Sequence, residues 1–556
     1  MRRRSIAAPT IGGGPPDLAV HNCNLFNPFT CSWEEASFAI RGGHICSVGH
    51  VSAKRTLDLR GARVTPGFID AHVHIESSLL TPVEFSRLVL RRGTTTVVAD
   101  PHEIANVLGV EGLEYMLKEG RRAPLDILFM LPSSVPASPE DLGGAVLGAR
   151  DLMRFRRRRG VIGLGEVMDS ASLFRGDRDL LEKIGLFEIV DGHAPLMSGE
   201  DLDAYIGAGI QSDHESTSAE EAAEKLAKGM FIFAREGTAE KNLGELIPLI
   251  HACAISRWCF ATDDRTAKML HLEGSVDDCI RKAISFGCEP ELALRMATLS
   301  PAERFGLHDR GAITPGRLAD FCVLGDGEEI RPVRVFRRGR EITGIASVRP
   351  RIVVHKIDTT IPSLHDLCIV GHGPAHVIGL VRGQIVTDHL VLDVDGEDLP
   401  DPDADILKSV VCNRYKENRF GIGLVRGFGL AGGAIASSVS HDAHHIVAVG
   451  ADDRSIRSAI SEVVKANGGM AVANSSGVHI LPLECAGLMS GRTSEELIPL
   501  LQELEEEVSR LNGIQDAFMY LSFLALSVIP RLRITDAGPF EVLSRRHLPL
   551  FLGAER

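Results

Sequence analysis

The chain has 556 residues, more than one compact core accommodates, so two or three domains are expected. Apolar residues make up 44% and charged residues 24%, a globular balance, and the formal charge of −14 argues against a nucleic-acid surface. Eleven cysteines without a CxxC pair fit reduced thiols in a cytoplasmic protein, and no apolar run approaches the roughly 20 residues of a membrane span.

The opening, MRRRSIAAPTIGGGPPD, is basic but lacks the apolar stretch of a secretory signal, and residues 1–16 are expected to be a disordered leader. Residues 17–65 read as short strands with tight turns, Arg41-Gly42-Gly43 lying between two alternating segments as a hairpin turn would. A similar pattern returns at DRGAITPGRLADFCVL, residues 309–324, followed by PVRVFRRGREI. One small β domain built from 17–65 plus 309–349 is expected around an insertion.

The insertion, residues 66–308, repeats a unit of short apolar strand, polar residue and helical stretch. Eight strands are expected: FIDAHVHI, TTTVVAD, LDILFMLPS, VIGLGE, LFEIVDGH, GIQSDHE, MFIFARE and RWCFATD. Eight strand-helix units in about 240 residues predict a (β/α)8 barrel, whose active site lies at the carboxyl ends of its strands. Those ends carry His72 and His74, Asp100 with His102, Ser133, Glu166, His193, His214, Arg235 and Asp263. In the first strand, alternation puts Phe68, Asp70, His72 and His74 on one face, and Ile69, Ala71, Val73 and Ile75 on the other. Imidazoles are costly to bury unless hydrogen-bonded or bound to something, so these point to a shared polar cavity.

Residues 350–556 predict a further α/β domain. The acidic loop DGEDLPDPDAD is expected at its surface. One helix runs from Asp453, with an apolar face at Ile456, Ile460, Val463 and Val464, to Asn467-Gly468-Gly469. Another opens on a Thr493/Glu496 capping box and runs to Asn512-Gly513. His441-Asp442-Ala443-His444-His445 admits three readings: a loop completing the active site, a second metal site, or a solvated turn.

His72, His74, Glu166, His193, His214 and Asp263 form a nitrogen/oxygen set without thiolate, suited to zinc, manganese or iron(II) at a catalytic centre. Six such ligands exceed the needs of one catalytic ion. Two ions bridged by a carboxylate and a hydroxide would use them all, the bridging water ionising near neutral pH to become a nucleophile. Asp263 would be placed to accept its proton. Arg235 is expected to form an ion pair at the rim, and Asp264 to hold Arg265 or a ligating histidine.

PGFIDAHVHIESS, the later histidines and TDD resemble the amidohydrolase superfamily over about residues 15–345. GLGEVMD, ADPHEIANVLG, DGHAP, SDHES and the tail NRFGIGLVRGFGLAGGAIASSVSHDAHHIVAVG are similar to the bacterial adenine deaminases. Two positions depart from that family: the segment TAKMLHLEGSVDD lacks the histidine expected there near Ser275, and Ser527 occupies a place where proline is usual. The resemblance implies that Glu166 is the bridging carboxylate. It implies two divalent metal ions, manganese first, with iron(II) and zinc also fitting. It further implies hydrolytic deamination of adenine to hypoxanthine and ammonia, in purine salvage. Glu103 would then hand a proton to the ring, His102 would orient the base or stabilise the attacked centre, and Ser133 would help bind the purine edge. The expected partner is the small-molecule substrate, with no nucleic acid and no membrane, in a cytoplasmic homo-oligomer, a dimer in the first instance. The alternative is a metal-dependent amidohydrolase acting on a cyclic amide or N-acetyl sugar. A catalytically silent barrel scaffold would have lost metal ligands, and all six are present.

Overall fold

The computed structural model describes residues 14–49, 51–327, 329–345, 348–415 and 418–553. Of the expected leader, residues 1–13 lie outside the described residues; Pro16 is buried and its carbonyl accepts from the Lys54 N–H at 2.9 Å.

Eight short strands form the centre of the chain, in two parallel arcs. The first arc holds, in spatial order, Phe68–Val73, Thr94–Ala99, Asp126–Leu131, Val161–Val167 and Val190–Gly192. The second holds Ser212–Asp213, Phe231–Arg235 and Trp258–Ala261. The arcs touch at both margins. Asp263 N–H donates to the His72 carbonyl at 3.0 Å on one side, and Gln211 N–H to the Val190 carbonyl at 3.1 Å on the other. Amphipathic helices, among them Pro82–Arg91, Val110–Arg122, Arg178–Gly185, Ala219–Ala227 and Val276–Ser285, alternate with the strands, so this is an α/β parallel architecture.

The expected alternation along the first strand does not run straight through. Register against Thr94–Ala99 shifts between Phe68 and Ile69 and again between Asp70 and Val73. Ala71 therefore joins a small apolar cluster with Val98, Met130, Phe233, Cys259 and Ala261, while Val73 and Ile75 belong to the main core. Asp70 is buried beneath the histidines and accepts from Thr262 N–H at 3.1 Å and its hydroxyl at 2.5 Å, which ties the first strand to the end of the eighth.

Both flanks of the insertion meet in one sheet. Arg63–Pro66 pairs with Phe321–Leu324 from beyond it, and Leu18–Asn27, Ser32–Arg41 and His44–Val48 continue outward. Gly42 and Gly43 connect the last two strands with φ of 57° and 81°, the conformation a two-residue hairpin turn needs and that glycine enters without steric cost.

Residues beyond 350 build an eight-stranded, mostly antiparallel sheet, including Ala434–Ser437 and Ile446–Gly450, covered by the helix Asp453–Lys465. The helix Ser494–Arg510 carries the Thr493/Glu496 capping box. Arg87 contacts Glu495 at 3.1 Å and Ser490 N–H donates to the Leu79 carbonyl at 2.8 Å, so this region sits on the strand-end side of the central sheet. No helix among the described residues is long and apolar enough to cross a membrane, and all eleven cysteines are free thiols.

Lys225 is a buried support for two of the strand ends. Its ammonium donates to Asp213 at 2.9 Å, Glu221 at 2.7 Å and the Ala194 carbonyl at 2.6 Å, while Asp213 also accepts from Ala194 N–H. Ala194 and Asp213 are the chain neighbours of His193 and His214. Lys225→Met leaves a buried Asp213 uncompensated and is expected to destabilise the protein by about 3–5 kcal/mol, read by urea denaturation. A loss below about 1 kcal/mol would show that the network relaxes without its cation.

Candidate active site

The strand ends deliver their polar side chains to one buried cluster, and Glu166 lies at its centre. Oε1 is 3.2 Å from His74 Nε2 and 3.6 Å from His72 Nε2. Oε2 is 2.7 Å from His193 Nδ1 and 3.2 Å from His214 Nε2. Asp263 Oδ1 joins the first group, 3.3 Å from His72 Nε2 and 3.1 Å from His74 Nε2. One carboxylate thus presents an oxygen to each of two ligand sets. Burial alone would raise its pKa, but His214, His193 and His74 override that and hold the carboxyl well below its ordinary range.

The residues fit divalent metal. His72 Nε2 and His74 Nε2 face each other at 3.0 Å, an arrangement that needs a proton or a cation between them. Edges of about 3.0–3.5 Å are what four atoms around a tetrahedral ion with bonds of about 2.1 Å produce. Asp263 Oδ1 is buried without a hydrogen-bond partner. His72–His74–Glu166 and Glu166–His193–His214 each bring their ligand atoms within 4.8 Å of one another. His74 Nδ1 is held by the Asp100 carbonyl at 3.0 Å, the outward anchor typical of a ligating imidazole.

The backbone around Glu166 is fixed from both sides. Its N–H donates to Asp100 Oδ2 at 3.2 Å, and its carbonyl accepts from the Ser133 hydroxyl at 2.5 Å. The hydroxyl of Ser133, read from sequence as a substrate contact, is engaged by the Glu166 carbonyl.

Asp263 sits at φ 52°, in the left-handed region, a conformation that costs on the order of 1–3 kcal/mol and concentrates at functional sites. Its N–H and carbonyl are both taken by the first strand's end, and Oδ2 accepts from Arg235 Nη1 at 3.0 Å. Arg235 is not at the rim: it is 1% exposed and bridges Asp263 to Glu215 Oε2, 2.9 Å from Nη2. Asp264 accepts from the Ser77 hydroxyl, whereas Arg265 turns to Asp278 at 3.0 Å and the Glu236 carbonyl at 2.6 Å.

Glu103 lies in the first turn of the helix His102–Leu108. Its Oε1 touches His441 Nδ1 and is 3.2 Å from His102 Nε2; Oε2 is 2.5 Å from His444 Nε2. The 441–445 segment is therefore a buried part of this site and not a solvated turn, with His445 facing away toward Asp536 at 3.9 Å. Asp442 lines the same cavity, its Oδ2 unpartnered and 3.8 Å from His102 Nε2. Sequence reasoning missed Glu215 and Glu240. Glu215 had a signal, next to His214 in SDHES. Glu240 had none: it is fully buried with neither oxygen paired, and burial, with Asp264 and Asp263 nearby, raises it well above its ordinary range.

The cavity above the cluster is lined on one side by Ile385, Phe523, Leu526 and Val528 from the carboxyl-terminal region, and the room within it is about 20 Å³, enough for about one water. Ser527, one of the two departures, hydrogen-bonds Asp141 and lies 3.0 Å from Ser138 Oγ, pinning that wall to the loop that follows the third strand. Ser275, the other, lies 3.3 Å from Thr94 Oγ1.

Residues 63–342 match the amidohydrolase family, which defines the class and implies a divalent metal of the kind the buried cluster fits. Residues 384–546 match the adenine deaminase C-terminal domain. An adenine deaminase of Methanoculleus marisnigri is 56% identical over 92% of this chain and 99% of that protein. One of Methanoregula boonei is 52% identical over 97% of each, and one of Geobacillus kaustophilus is 40% identical over 96% of each. A crystal structure of an adenine deaminase aligns with 59% of this chain and 99% of its own at 15% identity and a TM-score of 0.44. The chain belongs to the adenine deaminase family.

Gly165 makes the Asp100–Glu166 contact feasible, since a Cβ there would lie 1.9 Å from Asp100 Oδ2. Gly165→Ala is expected to push Asp100 off the Glu166 N–H, destabilise by about 1–3 kcal/mol and lower metal retention. The checks are thermal unfolding and metal content after dialysis. Full retention of both would show that Asp100 is dispensable for holding Glu166.

Proposed function

We propose that this protein converts adenine and water to hypoxanthine and ammonia, in purine salvage. The full-length relationship to proteins named adenine deaminase carries this reading. Manganese is our first choice of metal; the nitrogen/oxygen donors accept iron(II) and zinc as well. We read the two arcs as one (β/α)8 barrel, residues 66–308, with a flanking β domain of 17–65 plus 309–349 and a carboxyl-terminal domain of 350–556. The hydrogen bonds joining the arcs at both margins support that reading. Free thiols throughout suit a reducing cytoplasm.

His72, His74, Glu166 and Asp263 would hold one ion, and Glu166, His193 and His214 the other. When bound, the metal supplies Lewis acidity that lets water lose a proton at neutral pH. Asp263 takes that proton: Arg235 fixes Oδ2 and leaves Oδ1 turned to the histidines. Water's oxygen goes to the ring carbon bearing the amino group. One of its hydrogens ends on the adjacent ring nitrogen, the other on the departing ammonia. Glu103 carries the ring-nitrogen proton. Burial would raise Glu103, but His441, His102 and His444 hold it well below its ordinary range, so it starts as a carboxylate and must gain that proton before delivering it. His102, between Glu103 and Glu166, orients the ring.

Manganese-loaded protein given adenine is expected to release hypoxanthine and ammonia in equal amounts, and to leave a cyclic amide and an N-acetyl sugar untouched. Turnover of either alternative in place of adenine would overturn the reading. Glu103→Gln is expected to keep its metal and turn over at least about a hundredfold more slowly, the lower range of a general acid-base contribution. A normal rate in that variant would move the proton delivery to His102.

A further inference from the structure

We infer that His441 and His444 are positioning residues for Glu103, which makes the carboxyl-terminal domain part of the catalytic apparatus as well as its cover. The inference rests on the proposed adenine deamination. Glu103 belongs to the helix that follows the second central strand, yet of the three imidazoles around its carboxylate two come from residues more than three hundred positions later. His441 Nδ1 holds Oε1 and His444 Nε2 holds Oε2, so neither oxygen is free to swing.

The hydrogen-bond directions are set locally. Ser440 N–H donates to His444 Nδ1 at 3.2 Å. A neutral imidazole that accepts at Nδ1 carries its hydrogen on Nε2, so His444 Nε2 is the donor to Glu103. His444 itself sits at φ 53°, held by its N–H to the Ser440 carbonyl at 2.7 Å and by Arg414 Nη1 on its own carbonyl at 3.2 Å. Arg414 is buried and also donates to the Ala486 carbonyl at 2.7 Å, while Tyr415 OH donates to the Ala443 carbonyl at 2.6 Å. His441 is fixed by its N–H to the Ser522 carbonyl at 2.8 Å and by stacking on Phe523, centroids 4.6 Å apart and planes 13° apart. Its Nε2 is buried without a partner. The segment is built to aim two N–H groups at one carboxylate. A group that must receive and release a proton at a fixed ring atom gains from such fixing, because sub-ångström placement governs transfer.

The test is a double-mutant cycle on metal-loaded, full-length protein with adenine, once the wild type has been shown to turn over; failure of that first step would count against the proposed reaction and not against the clamp. His444→Ala is expected to lower kcat by about tenfold to a hundredfold, the span of one hydrogen bond to a charged partner, with metal content kept and KM changed by less than about threefold. In the Glu103→Gln background the same substitution should change kcat by less than about twofold, because its effect passes through Glu103. His444→Gln, which can present an N–H near the position of Nε2, should recover most of the rate, and His441→Asn should do the same relative to His441→Ala. Should the alanine variants not fold, His444→Asn, whose shorter amide does not reach the Nε2 position, with and without Glu103→Gln gives the same comparison. Equal losses in both backgrounds, or unchanged kcat in His444→Ala, would overturn the proposal.

Discussion

The arrangement of this protein turns on one buried carboxylate that five imidazoles approach from two directions. Glu166 cannot be solvated where it sits, and only charge or hydrogen bonding of opposite sense makes its burial tolerable. The surrounding choices follow from keeping its two oxygens apart in function. Asp100 and Ser133 fix the peptide on either side of it, and Gly165 leaves room for Asp100. Lys225 steadies the loops that carry His193 and His214.

Charge accounts for the rest. Glu103, Glu166, Glu215, Glu240, Asp263, Asp264 and Asp442 are all buried around the same small space, with Arg235 as the only guanidinium lining it among the described residues. Such an excess of acid is held by proton uptake, by imidazolium, or by cations. Glu240, raised well above its ordinary range beside Asp264 and Asp263, takes the first course; Glu215, against Arg235 and the imidazoles, is held down to about 2 despite its burial. Divalent metal among the histidines would neutralise what remains, which is why these ligands suit a family that implies such a metal.

Much of this was legible in the sequence because strand-helix repetition fixes where polar residues must gather. The eight strand-end positions, the capping box at Thr493 and the turn at Gly42-Gly43 each follow from local rules. The register shift around Asp70 was not legible, since it depends on how the neighbouring strand packs. Ser133 stands out in the sequence by its position at a strand end, but that its hydroxyl bonds the carbonyl of Glu166, 33 residues away, follows only from the packing of neighbouring strands. His441-Asp442-Ala443-His444-His445 held three readings open because a histidine cluster in a loop says nothing of which loop it meets. The answer lay 338 residues upstream, in Glu103.

The central claim is that the two oxygens of Glu166 serve two separate ions. Anomalous diffraction at the manganese edge, from crystals of fully loaded protein, tests it most directly. Two peaks are predicted, one among His72, His74 and Asp263, the other between His193 and His214, each bonded to a different Glu166 oxygen. A single peak, or two peaks of which one leaves Glu166 unbound, would contradict it.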